Sequence, residues 1–197
     1  MTLYSRRKRF DGLSESIGKK FSKAGLSPNQ WTLLSIPLAL ISGYMLSQGL
    51  FAFGAAFLIM AAFLDMVDGA VARHTGKVGK KGAFLERITD RYVEGIILFS
   101  LLLAGLPGFF LPSFAWIFLL MFGGILTSYS KAAAEKEIVQ DLRGGIIERA
   151  ERLVGLFIGI ILAVFNPIYL TWAIALLAVL ANVSAIQRIW KAWNANE

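Results

Sequence analysis

The sequence predicts an all-α integral membrane protein: six transmembrane helices behind an N-terminal amphipathic interfacial helix, with both termini cytoplasmic. Three observations predict it. Of the 197 residues 56% are hydrophobic and only 17% are charged, with a mean hydropathy of +0.62, far from the balance of a soluble domain. Apolar runs, six in all, approach the roughly 20 residues that a helix needs to cross a bilayer. The connections between those runs alternate between uncharged and basic, the pattern left when Lys and Arg stay on the cytoplasmic side.

The same composition excludes several classes of function. There is no cysteine, so neither a disulfide framework nor a thiolate metal site is possible, and the single histidine, His74, cannot build a zinc site of the usual kind. Any metal must sit on oxygen. A net charge of +7 would suggest nucleic acid in a soluble protein. In a membrane chain its partner is the anionic cytoplasmic leaflet of the cell membrane or a phosphorylated substrate.

Taken in order, residues 1–27 open with the basic run Arg6 to Arg9 and continue with Leu3, Phe10, Leu13, Ile17 and Phe21 near helical spacing, Lys19, Lys20 and Lys23 interleaved. This pattern describes an amphipathic helix in the headgroup region or, equally well, a basic topogenic flank. It is no cleaved signal, since no apolar core or small-residue cleavage site follows. The spans, forming a membrane domain over 28–190, are expected at Pro28–Gln48, Leu50–Arg73, Ala83–Leu106, Phe109–Tyr129, Leu153–Phe165 and Pro167–Ile189, with a tail over 191–197. The fifth is the shortest and can begin as early as Ile146. Gly155 and Gly159 form a small-xxx-small pair on it, suited to close helix packing within or between subunits.

An ionised side chain at membrane depth costs roughly 2.5–3.5 kcal/mol, so several together need a common reason. Asp65 and Asp68 are three residues apart near the cytoplasmic end of the second span, and Glu86 and Asp90 are four apart near the start of the third. Each pair shares one helical face. The short, glycine-bearing link over 74–81 makes these spans antiparallel neighbours, so the four acids can converge. Divalent metal would relieve their repulsion, and oxygen-only ligation selects Mg²⁺, Mn²⁺ or Ca²⁺ over zinc, with room for two ions. Taken singly, Asp65 could instead pair with Arg73 or Arg91, and Glu86 and Asp90 could simply suit a helix N-terminus. Gly69 and Ala72, one turn from Asp65 and Asp68, leave space beside the acids. The glycines and lysines of 76–82 lack the order of a nucleotide-binding P-loop.

Asp65, Asp68, Gly69, Ala72, Arg73, Gly82, Glu86 and Asp90 resemble the CDP-alcohol phosphotransferase signature DxxDGxxARx8GxxxDxxxD, with Glu86 standing where the family has its third aspartate. Ser27 to Thr32, SPNQWT, is similar to the family's TPNxxT opening of the first span. The resemblance implies transfer of a phosphatidyl-type group from a CDP-linked lipid, CDP-diacylglycerol or CDP-archaeol, to an alcohol with release of CMP, at the cytoplasmic face and with Mg²⁺ or Mn²⁺. It implies that Asp65, Asp68, Glu86 and Asp90 hold metal and that Asp90 also acts as general base. Asn29, Asp65, Gly69, Ala72 and Arg73 then face the CDP donor, although Arg73 leans toward a structural role. Relatives of this kind are homodimers.

The acceptor is read from the stretch over 128–153. Lys131, Arg143, Arg149 and Arg152 lie on the side of the acids, and guanidinium groups match phosphate oxygens in bidentate fashion, which favours a phosphorylated acceptor. Glu148 and Glu151 are placed to orient Arg149 and Arg152. The SYxKA and ERAER pieces resemble the phosphatidylinositol-phosphate and archaetidylinositol-phosphate synthase branch, which uses inositol 1-phosphate. Ala133 departs from it, where that branch commonly has a further arginine, and glycerol 3-phosphate remains as an alternative acceptor. From other classes, a carboxylate-lined cation transporter would want its acids near the midplane with an access path, and a scaffold would not need Gly69 and Ala72 beside them.

Overall fold

The computed structural model describes residues 3–138 and 145–196. Among them lie seven α-helices and a short 3-10 turn: α1 Leu3–Ser22, α2 Pro28–Ser47, α3 Phe51–His74, α4 Lys80–Leu103, α5 Ser113–Glu137, α6 Arg149–Ala163 and α7 Pro167–Trp193. Every apolar run is therefore a helix. Three of them, α3, α5 and α7, are long and apolar enough to cross a membrane. The others differ for visible reasons. α2 has Pro37 in its interior and polar Asn29 and Gln30 in its first turn, and α4 begins with Lys80, Lys81, Glu86, Arg87 and Asp90 among its apolar residues. α6 has 15 residues, which rise about 22 Å against roughly 30 Å of hydrocarbon.

The helix starts follow from local chemistry. At α2 the Ser27 N–H donates to Gln30 Oε1 at 2.8 Å and the Gln30 N–H reaches back to Ser27 Oγ at 3.4 Å, a capping box with Pro28 at the first helical position. At α7 the Asn166 side chain accepts from the Ile168 N–H at 3.0 Å, again ahead of a proline. α5 begins at Ser113 rather than at Phe109. Phe109 and Leu111 pair across Phe110, which has φ 54, and the Trp116 indole N–H donates to the Phe109 carbonyl at 2.7 Å, so the residues before Pro112 are held in a turn. At its other end α5 continues past Tyr129 to Glu137, because Lys131 to Lys136 are strong helix formers with a Lys131–Glu135 pair at 3.5 Å.

The chain forms two compact units. The first comprises α1, α2 as far as Tyr44, α3 from Ala56 and α4 as far as Ile97. Its core gathers Trp31, Val67 and Val71, with Ile17, Phe21, Leu26 and Leu64 packed against them. The Phe21 ring meets Trp31 edge-on at 5.5 Å and Phe63 at 5.7 Å. A side-chain carbon at Gly18 would stand 2.5 Å from the Ala70 carbonyl oxygen, so α1 approaches α3 backbone to backbone there. The apolar stripe read from Ile17 and Phe21 thus packs on protein.

The second unit comprises the end of α2 from Met45, the start of α3 as far as Ala55, α4 from Leu98, and α5 to α7. In it α7 packs against both α5 and α6. Polar groups tie these helices where apolar burial alone would leave sliding freedom. Asn182 Nδ2 donates to the Leu119 and Ala178 carbonyls at 2.9 and 2.8 Å, and Thr127 Oγ1 lies 2.6 Å from the Gly123 carbonyl and 3.2 Å from that of Ala181. Gly155 and Gly159 face α7 of the same chain. A Cβ at Gly159 would come within 2.8 Å of Ala173 Cβ, and one at Gly155 within 2.9 Å of Leu177 Cδ2.

These two contacts differ in what can yield. Gly159→Ala drives a methyl against a carbon fixed to the backbone and is expected to destabilise the protein by about 1–3 kcal/mol. Gly155→Ala meets the mobile end of a leucine and is expected to be near neutral, since alanine also favours the helix by roughly 0.5–1 kcal/mol. Thermal unfolding of both variants in detergent checks the contrast; equal effects would contradict it.

Candidate active site

Within the first unit, the end of α3 and the start of α4 carry the acids. Helix α3 closes at Gly76, whose φ of 66 suits glycine: its N–H bonds the Arg73 carbonyl at 3.4 Å and the Lys77 N–H bonds the Ala72 carbonyl at 2.9 Å. The chain can then re-enter helix at Lys80. This turn brings Glu86 within electrostatic reach of Asp68, on which Asp65 also acts. Asp68 is 4% exposed, Asp65 and Asp90 are half-buried, and Glu86 is exposed. Asp90 lies one turn beyond Glu86, on the same face of α4.

The buried carboxylate of Asp68 has a partner that the spacing did not name. The Thr32 hydroxyl donates to Asp68 Oδ2 and also lies 3.2 Å from the Pro28 carbonyl. Thr32 is itself 4% exposed. The SPNQWT opening therefore divides its labour: Ser27, Pro28 and Gln30 build the helix start, Thr32 holds Asp68, and Asn29 stays exposed with its Oδ1 facing Gly82, 3.6 Å from where a Cβ would stand. Arg73 turns toward α1, donating to Ser14 Oγ from Nη2 at 2.9 Å and from Nε at 3.3 Å, with its guanidinium over Gly69. That arrangement agrees with an anchoring role. Arg91 pairs with Glu94 at 3.1 Å. Ala72 is half-buried one turn from Asp68.

By ligand type and charge this acidic group fits a divalent cation: hard carboxylate oxygens, mutually repelling, one of them buried. Among the described residues, no three acidic or histidine side chains converge tightly enough to make a finished coordination sphere. Asp65 and Glu86 both act on the buried Asp68.

The second unit holds the opposite charge. Arg152 on α6 is 2% exposed and Arg188 on α7 is 6% exposed, a deep burial for guanidinium groups. Arg188 Nη1 donates to the Thr127 carbonyl at 3.1 Å, and its Nη2 lies 3.7 Å from Glu148 Oε1. Arg149 is half-buried, and Lys131 pairs with Glu135. Glu151 accepts from the Glu148 N–H at 2.8 Å, so it serves the start of α6. Arg143 lies outside the described residues. Arg188 was absent from the basic set read off the sequence; its signal was the one arginine of α7, four residues after Ser184.

A profile of the CDP-alcohol phosphatidyltransferase family matches residues 26–184. The chain belongs to that family. It is therefore an enzyme, a CDP-alcohol phosphotransferase of membrane lipid synthesis, and an integral membrane protein. The transporter and scaffold readings fall with this result. An archaetidylinositol phosphate synthase of Pyrococcus horikoshii is 35% identical over 178 residues, 90% of this chain and 89% of its own. A phosphatidylinositol phosphate synthase of Mycolicibacterium smegmatis is 34% identical, covering 90% of this chain and 82% of its own. Among solved structures, the phosphatidylinositol phosphate synthase of Mycobacterium tuberculosis with CDP-DAG bound aligns with a TM-score of 0.82 at 27% identity, over 92% of this chain and 94% of its own. The same enzyme in complex with manganese and citrate aligns with a TM-score of 0.83, over 92% and 90%.

In this phosphotransferase the Thr32 hydroxyl is the fixed point of the acidic group, so Thr32→Val, which keeps shape and removes the donor, is expected to lower kcat/KM about tenfold, the size of one lost hydrogen bond to a charged group. Thr32→Ser should recover most of it, with unfolding temperatures near wild type in both. Unaltered turnover in Thr32→Val would remove Asp68 positioning from the account.

Proposed function

We propose that this enzyme transfers the phosphatidyl-type group of a CDP-linked lipid, CDP-diacylglycerol or CDP-archaeol, to a hydroxyl of inositol 1-phosphate, releasing CMP at the cytoplasmic face. The observation that carries the choice of acceptor is the burial of Arg152 and Arg188 in one unit. A buried guanidinium is stable only with anionic or carbonyl partners, and its planar fork matches a phosphomonoester. A neutral polyol offers those guanidiniums no phosphate oxygens to bind. Two relatives named for inositol phosphate products support the same choice. Lys131 and Arg149 flank these groups in the reading, with Arg143 a further member from the sequence.

On the donor side, Asp65, Asp68 and Glu86 hold Mg²⁺ or Mn²⁺, two ions by the number of carboxylates. A cation so bound offsets the pyrophosphate charge and that of the departing CMP. Thr32 holds Asp68 in place, and Asn29, beside Gly82, is offered to the donor head. Gly69 and Ala72 leave room beside the acids. Asp90, one turn from Glu86, accepts the proton of the attacking hydroxyl as general base, which requires only hydrogen-bond reach in the complex. Glu86 keeps the charge of the family's aspartate on a longer stem.

Ala133 favours a second reading, glycerol 3-phosphate as acceptor, because an arginine is missing from the stretch. Purified protein with CDP-diacylglycerol and Mn²⁺, offered inositol 1-phosphate, glycerol 3-phosphate, serine or free inositol, separates the readings by CMP release. Inositol 1-phosphate is expected to give the fastest release and free inositol close to none. Faster release with glycerol 3-phosphate would replace the acceptor, and equal release with free inositol would refute the phosphate pocket. Asp90→Asn is expected to bind the donor yet lose at least a hundredfold in turnover, within the range for removal of a general base.

A further inference from the structure

The two buried arginines sit on different helices, and beside them a single side chain makes a hydrogen bond from one helix to the start of the other. Ser184 is fully buried on α7, one turn before Arg188. A helical serine usually turns its hydroxyl back to the carbonyl four residues earlier. Ser184 Oγ instead accepts the Ile147 N–H at 2.8 Å, across 37 residues of sequence. Ile147 is buried, so without that oxygen its N–H would lose its partner away from water.

The neighbouring backbone lies flat on the same face of α7. Gly145 has φ 131, a conformation that favours glycine, and a Cβ there would stand 3.2 Å from Arg188 Nε and 3.3 Å from Ser184 Cβ. Glu148 follows Ile147 directly, caps α6 and faces Arg188 at 3.7 Å. Arg152 is one turn further on, its N–H bonded to the Glu148 carbonyl at 3.1 Å. The Ser184–Ile147 bond thus ties the start of α6, with Arg152, to the end of α7, with Arg188.

We propose that Ser184 is a positioning residue for the acceptor phosphate, its hydroxyl holding Arg152 and Arg188 at the separation that a phosphomonoester bridges; this rests on the reading of those arginines as the acceptor's ligands. Serine here is then a specificity determinant that touches no substrate. It acts through the arginines, which makes its effect separable from a loss of fold.

The test is steady-state CMP release by the purified full-length enzyme with CDP-diacylglycerol and inositol 1-phosphate, for Ser184→Ala, Ser184→Thr, Arg152→Ala, Arg188→Ala and the Ser184→Ala/Arg188→Ala double variant. Ser184→Ala is expected to raise the acceptor KM about fivefold, as one lost hydrogen bond allows, with donor KM near wild type and the unfolding temperature lowered only by the few degrees that an unpaired Ile147 N–H costs. Ser184→Thr, which keeps the oxygen, should restore the acceptor KM to within about twofold of wild type. In the Arg188→Ala background the serine change should add little, because the two act as one unit. If Arg152→Ala and Arg188→Ala raise the acceptor KM but Ser184→Ala does not, or if its effect simply adds to that of Arg188→Ala, positioning by Ser184 is overturned and the phosphate pocket stands. If neither arginine variant moves the acceptor KM, the pocket itself is wrong and the proposal goes with it.

Discussion

The constraint behind this protein is that charge cannot lie unpartnered at membrane depth. An ionised group there costs roughly 2.5–3.5 kcal/mol, and more where nothing accompanies it. The chain places Asp68 and Arg188 toward helix ends and gives them partners drawn from a hydroxyl and from the backbone. Asp68, buried near the end of α3, takes the Thr32 hydroxyl; Arg188, buried near the end of α7, takes the Thr127 carbonyl. In both cases a threonine early or midway in another helix supplies the contact. Helix packing and chemistry are thereby linked, since the residues that hold helices together also aim the charged groups.

The two units divide the chemistry by sign. The first gathers carboxylates at the turn from α3 to α4 and suits a cation with the phosphates it would carry. The second buries two guanidiniums, suited to an anion. For the proposed phosphorylated acceptor, a transferase that also takes a pyrophosphate donor needs both kinds of recognition.

Much of this was legible in the sequence, because apolar runs and helical spacing are local. All six expected spans are helices, and the i, i+3 and i, i+4 spacing of the acids put each pair on one face. Other features depended on contacts that no local pattern carries. Membrane-crossing length and apolarity hold for α3, α5 and α7, whereas Pro37, the charged start of α4 and the 15 residues of α6 set the other helices apart. The start of α5 moved from Phe109 to Ser113 because Trp116 and the Phe109–Leu111 pair hold the preceding turn. Thr32 was quoted but given no role, since a helical threonine usually satisfies itself on its own backbone. Arg188 and Ser184 were passed over because a charge near a chain end reads as topology until burial shows otherwise. Gly155 and Gly159 were open to packing within or between subunits, and they pack within the chain.

If the acids of α3 and α4 form the one cation site proposed for them, losing a carboxylate from either helix must weaken metal binding. Titration calorimetry of Mn²⁺ into the purified protein tests it most directly, comparing wild type with Asp68→Asn and Glu86→Gln. Wild-type protein is expected to bind Mn²⁺, with affinity at least tenfold weaker in each variant, as a site shared by both helices requires. Equal Mn²⁺ affinity in all three proteins would contradict it.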